Sequence, residues 1–240
     1  MTAVAIPVAD RFLKPVVDAE IRETAVPFIG FAEPKGSKYA DIRAALPGIQ
    51  AGAPYLYKPG TGYVAMNPAK MHVVEGVQFF VEYGADGATP VTVTRTDPGS
   101  FKSPLKEAIF GVAVAYTPDG LVPAAVSFRT TKAPAAHAAL KALRDCADAT
   151  AWGNKSPDFR ETLRIPVPFA RFTATVTTRA KTGKGSGQQY YAASADIKPT
   201  TPAEAKMIGA ALASPDFMAT FNAVIAAHDA QVKKLTDMVK

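Results

Sequence analysis

One cysteine in 240 residues, Cys146, excludes a disulfide framework and any cysteine-based metal site. It falls in a predicted helix with no electropositive surroundings, so it reads as a small buried hydrophobe and not as a nucleophile. The three histidines, His72, His137 and His228, stand far apart and lack carboxylates at ligand spacing. His228 lies on the apolar stripe of the last helix and is assigned to packing. No apolar run approaches the roughly 18 residues of a membrane span, so no membrane partner is expected. Met1 to Arg11 has neither the basic start nor the apolar core of a signal peptide. With the lone cysteine, this points to a reducing cytoplasm, that of a host if the source is viral. The sequon Asn154-Lys155-Ser156 carries no weight without a secretory signal.

Catalytic signatures are also missing. There is no Gly-x-Ser-x-Gly elbow. Glu75, Glu82, Asp86 and Asp97 are scattered, with no pair set for acid/base work. Gly183-Lys184-Gly185-Ser186 fails as a phosphate loop: Thr178 stands where the first glycine belongs, Gly185 follows the lysine, and the segment joins two strands. The expectation is a non-enzymatic protein that needs no cofactor and no metal.

What the chain does have is apolar content (48%) sufficient for a core and heavy punctuation by 20 prolines and 17 glycines. That favours many short strands. Residues 1–24, broken by Pro7 and Pro15, read as an arm. Residues 25–199 read as one β-rich domain, and 200–240 as a helical segment. Ala25–Ala32 is a strand that Pro27 would place at an edge. A short helix follows over Ser37–Leu46, with Ser37 as its N-cap. Strands are expected at Pro54–Lys58, Tyr63–Met66, Met71–Tyr83 and Val91–Thr96.

Ala108, Phe110, Val112, Val114 and Tyr116 alternate, and Val122, Ala124, Val126 and Phe128 continue the alternation beyond the turn Thr117-Pro118-Asp119-Gly120. This is a hairpin. Ala133–Thr150 is a helix with Ala136, Leu140, Leu143 and Ala147 on its packed face. Thr130 or Thr131 is its expected N-cap. A second hairpin turns inward Ala170, Phe172, Ala174 and Val176, then Tyr191, Ala193, Ala195 and Ile197, around the connection Lys181–Gly187. The tail carries a helical stripe through Phe217, Phe221, Val224, Ile225, Val232 and Leu235, with Ser214 as N-cap. That stripe packs on the domain, with a homodimer as the alternative.

The net charge is +6, and residues 151–199 hold eight bases against three acids, +5 of the total. A localised excess points to a polyanionic partner. The outward face of the second hairpin combines Phe169, Arg171, Arg179, Lys181 and Tyr190, next to Lys184 in a glycine-rich connection. Arg129 and Lys132 add cations where the first hairpin ends. Cations meet phosphates and rings stack on bases, which is the composition of a single-strand binder.

The order of strands, hairpin, helix and hairpin over 71–197 matches the five-stranded OB barrel. The fold expectation is mostly β (α+β): an OB-like barrel of antiparallel hairpins, with extra N-terminal strands, an inserted helix and C-terminal helices. The runs GLVPAAVSFRTTKAPAAHAALKAL (Gly120–Leu143) and FARFTATVTTRAKTGKGSGQQYYAASADIKP (Phe169–Pro199), about a third of the chain, resemble bacteriophage-type single-stranded DNA-binding proteins of the OB kind. The resemblance implies non-sequence-specific binding of single-stranded DNA during replication or recombination. It would assign that role to Arg129, Arg171, Arg179, Lys181, Lys184 and Tyr190. Many such proteins end in an acidic tail, whereas Lys233, Lys234 and Lys240 stand near this C-terminus among few acids. The competing expectation is a structural or assembly (virion) protein with no nucleic-acid role.

Overall fold

The computed structural model describes residues 26–239 apart from 35, 37, 67, 86–88, 100–102 and 184–186. The expected arm over 1–24, the cap Ser37 and the candidate Lys184 lie outside the described residues.

Nine strands form one sheet. They are β1 (Phe28–Phe31), β2 (Pro54–Lys58), β3 (Gly62–Ala65), β4 (Ala69–Tyr83), β5 (Pro90–Thr94), β6 (Lys106–Thr117), β7 (Gly120–Arg129), β8 (Phe172–Thr182) and β9 (Gln189–Pro199). The order is β3-β2-β1-β7-β6-β4-β8-β9, with β5 on β4. The sheet curls into a half-barrel flanked by helices, a mixed α/β architecture with a barrel-like β portion. The first hairpin closes as expected through Pro118 and Asp119, with Thr117 opposite Gly120. Strand β1 is not at an edge. It pairs antiparallel with β2 and parallel with β7, and Pro27 precedes its ladder, where its carbonyl accepts from the Ala125 amide at 2.9 Å. A missing N–H therefore costs no strand pairing there.

Helices cover both faces of the sheet. On one side lies α2 (Ala133–Ala147), which follows the short α1 (Tyr39–Ala45) in the chain. Its Ala133, Ala135, Ala136, Ala139, Ala142 and Cys146 are buried among Met71, Val73, Ile109, Val126, Phe172 and Val176. Small side chains let the helix sit close: Leu140 lies over Gly76, where a Cβ would stand 3.0 Å from it. Ala147 is exposed, so the packed face is rotated towards the alanines. The helix stops at Asp148, which turns extended and caps α3 (Ala149–Gly153) by accepting from the Thr150 and Ala151 amides. The short α4 (Pro157–Glu161) follows. Neither Thr130 nor Thr131 caps α2. Thr131 instead donates to the Tyr191 carbonyl at 2.7 Å, tying the helix start to β9.

On the other side α5 (Pro202–Leu212) and α6 (Pro215–Asp237) meet at an 85° bend. Thr201 and Glu204 form a capping box on the first, and Ser214 caps the second. Phe221 and Val224 pack on Val112 and Val114, and Leu235 on Phe79, Val93 and Phe110. Phe217, Ile225 and Val232 of the same stripe are partly buried beside them. Among the described residues no single helix is long and apolar enough to cross a membrane.

Candidate nucleic-acid interface

The β8–β9 ribbon runs in register from Phe172 opposite Pro199 to Thr182 opposite Gln189. Residues directly opposite share a face. One face carries Phe172, Ala174, Val176 and Ala193, all buried against the core that includes Trp152 and α2. The other carries the pairs Thr177–Ser194, Arg179–Ala192 and Lys181–Tyr190. Burial fades along the ribbon. Phe172, Thr173 and Ala174 are buried, whereas Arg179, Ala180, Lys181 and Thr182 are exposed on both faces. The end therefore projects from the body. Tyr190 is 37% exposed, unusual for a large ring. Among the described residues neither Arg179 nor Lys181 has an ion-pair partner. Lys198, further back on the same face, is paired with Asp196 at 3.1 Å.

No protein-family model matches this chain, and neither does any curated protein or solved structure.

Of the eight candidates named from sequence, Arg179, Lys181 and Tyr190 come together on the projecting end. Four others are engaged inside the fold. The Phe169 ring sits in the 3-10 turn Pro168–Arg171, 6.2 Å from Phe221 and 6.5 Å from His72, under α6. Its ring is partly buried beside those two rings. Arg171 donates Nε to the Ile165 carbonyl at 3.0 Å and a terminal nitrogen to the Cys146 carbonyl, so it clamps the loop before β8. Lys132 is 6% exposed and ion-paired with Glu33. A buried ammonium needs that counter-charge, and it is not available to a phosphate. Arg129 is half-buried, its guanidinium 4.4 Å over the Tyr83 ring. Alternation assigned these residues to faces but could not show what covers them.

Two polar clusters under the C-terminal helices were missed. In the first, His72 is fully buried. Its Nδ1 donates to the Phe172 carbonyl and its Nε2 accepts from the Tyr116 hydroxyl, both at 2.7 Å. Burial holds the His72 pKa below its ordinary value and pushes the Tyr116 phenol above its own. Lys70 lies 5.0 Å over the Tyr116 ring and is ion-paired with Glu204. Burial raises the Glu204 carboxyl, but the bonds from Lys70 and Thr201 outweigh it and hold it low.

In the second cluster, Glu75 on β4 meets His228 and Asp229 on α6. His228 Nδ1 is 3.0 Å from Glu75 Oε1 and 3.6 Å from Asp229 Oδ1. His228 Nε2 donates to the Phe110 carbonyl at 3.3 Å. Burial would lower the His228 pKa, but Glu75 outweighs it and raises it; His228 in turn holds the Glu75 carboxyl low. His228 is packed as its position on the stripe suggests, yet carboxylates do face it. They come from a distant strand and from its own neighbour, pairings that ligand-spacing patterns do not contain.

Cys146 is buried, its thiol pushed up by burial and donating to the Leu143 carbonyl at 3.0 Å. Arg179 and Lys181, unpaired among the described residues, and the exposed Tyr190 ring together suit a polyanion with flat rings.

Proposed function

We propose that this protein binds single-stranded DNA without sequence specificity through the projecting end of the β8–β9 ribbon, in replication or recombination of the bacteriophage kind. The observation that carries the reading is the trio Arg179, Lys181 and Tyr190 on one exposed face. Cations neutralise phosphates by releasing counter-ions, and a ring stacks on any base, so such a face tolerates sequence. The glycine-rich connection with Lys184 continues from it.

The finer fold reading, an elaborated OB-like barrel, belongs to the same proposal. Strands β4, β6, β7, helix α2, then β8 and β9 keep the OB order, and long β4 pairs with both β6 and β8. In such barrels the loop between the last two strands takes part in oligonucleotide binding. Here that loop is the tip of the ribbon. The departure is at the free edge of β7, which takes β1 in parallel.

The test compares Arg179→Glu with Lys181→Glu against a double reversal at Lys206 and Lys233, exposed lysines on α5 and α6. Both doubles change the net charge equally. Binding of a labelled oligothymidine should fall at least tenfold more in the ribbon double. Equal losses would mean the ribbon is not the site.

A further inference from the structure

We propose that Glu75, His228 and Asp229 form a binding site for a zinc-class divalent cation at the seam between β4 and α6. This inference is independent of the nucleic-acid reading and uses none of its residues. One potential ligand atom from each of the three residues lies within 4.8 Å of the others. A cation with bonds of about 2.0–2.2 Å at near-tetrahedral angles separates its ligand atoms by roughly 3.3–3.6 Å. The distances from His228 Nδ1 to the two carboxylates, 3.0 and 3.6 Å, bracket that span.

The seat is built by the backbone. The β4–β6 register slips between Val73 and Glu75, so Val73 pairs with Ala113 and Glu75 with Val112. A bulge there re-aims the strand. Unbroken alternation from Val73 would turn Glu75 back towards α2; the bulge at Val74 turns it to face α6 instead.

The ring is oriented as a metal ligand needs. A carbonyl can only accept, so the bond to Phe110 puts a proton on Nε2 and leaves Nδ1, which faces the two carboxylates, as the ring atom that binds a cation once the cation displaces any proton there. A backbone carbonyl behind a histidine is a common way to fix the metal-binding tautomer. A second observation points the same way. His228 is 5% exposed, and its Nδ1 and Glu75 Oε1 are both buried, yet neither has an aligned hydrogen-bond partner although they stand 3.0 Å apart. A buried polar pair off the hydrogen-bonding line is costly; a shared cation satisfies both. The Glu75 side chain is 40% and that of Asp229 68% exposed, which gives an entry path and room for a water as a further ligand. Two carboxylates balance a divalent charge, and the imidazole nitrogen selects the zinc class over calcium or magnesium.

The test is calorimetric titration of zinc chloride into the chelator-treated full chain at neutral pH. One equivalent should bind. Glu75→Gln and Asp229→Asn should each weaken binding at least tenfold. His137→Gln, which removes the exposed histidine beside Glu107, should leave it unchanged. Asp229 is exposed, so its variant keeps the fold and decides the matter even if Glu75→Gln does not fold. Failure of the wild type to bind zinc, or equal affinity in wild type, Glu75→Gln and Asp229→Asn, would overturn the site.

Discussion

Tyr190 stands on the ribbon opposite Lys181 with over a third of its surface in water. Stacking on a base contributes about 1–3 kcal/mol per ring, so Tyr190→Ala should weaken oligothymidine binding by roughly 5- to 150-fold. Its thermal midpoint should stay near that of the wild type, because the ring supports little of the core. Anisotropy and a melting curve on the same sample check both. His72 behaves in the opposite way. Burial lowers its pKa, so the fold favours the neutral ring more than the unfolded chain does. The unfolded chain therefore takes up the proton first, and the stabilising contribution is present above pH 6.5 and lost as pH falls below it. His72→Gln cannot titrate. At pH 7.5 it should be less stable than the wild type by about 1–3 kcal/mol, for bonds lost to Phe172 and Tyr116. That gap should narrow towards pH 5 in urea titrations, and a gap independent of pH would mean that the fold protonates His72 as readily as the unfolded chain does.

At the scale of elements, the β4–β6 pairing depends on Gly111. A Cβ there would lie 2.5 Å from the Glu75 carbonyl oxygen, at the bulge. Backbone cannot yield as a side-chain tip can, so Gly111→Ala should cost about 1–3 kcal/mol, measured as a lower urea midpoint. Both hairpins were legible in the sequence, because alternation and the Pro118-Asp119 turn are local signals. The inner ribbon face, Phe172, Ala174 and Val176, was legible for the same reason. The bulge was not. A single extra residue, Val74, sits in a run of apolar and polar residues that alternates equally well without it. The parallel pairing of β1 with β7 was hidden too, since parallel partners are distant in sequence and share no turn.

Over the whole molecule, the limbs of the curled sheet meet where the loop before β2 touches β9. Gly52 has φ +77°, and a Cβ there would stand 2.3 Å from Tyr191 Cγ. Gly52→Ala should lower stability by about 1–3 kcal/mol through strain and crowding together. What sequence reading missed at this scale is coverage. Phe169 was assigned to the outward face, and it is there, but α6 lies over it. Arg171, assigned to the outward face by alternation, and Lys132, placed where the first hairpin ends, are claimed by tertiary contacts with carbonyls and with Glu33. Arg179 and Lys181 remain because the ribbon outruns the body. The central claim is therefore tested most directly by titrating the wild type into a labelled oligothymidine of about 30 nucleotides at 50 and 200 mM salt, with an equal-length duplex as competitor. With about three phosphates neutralised by Arg179, Lys181 and Lys184, affinity should fall roughly 20-fold across that range, and the duplex should compete poorly. Absence of binding at 50 mM salt, or duplex competition as strong as that of the single strand, would contradict single-strand binding by the ribbon.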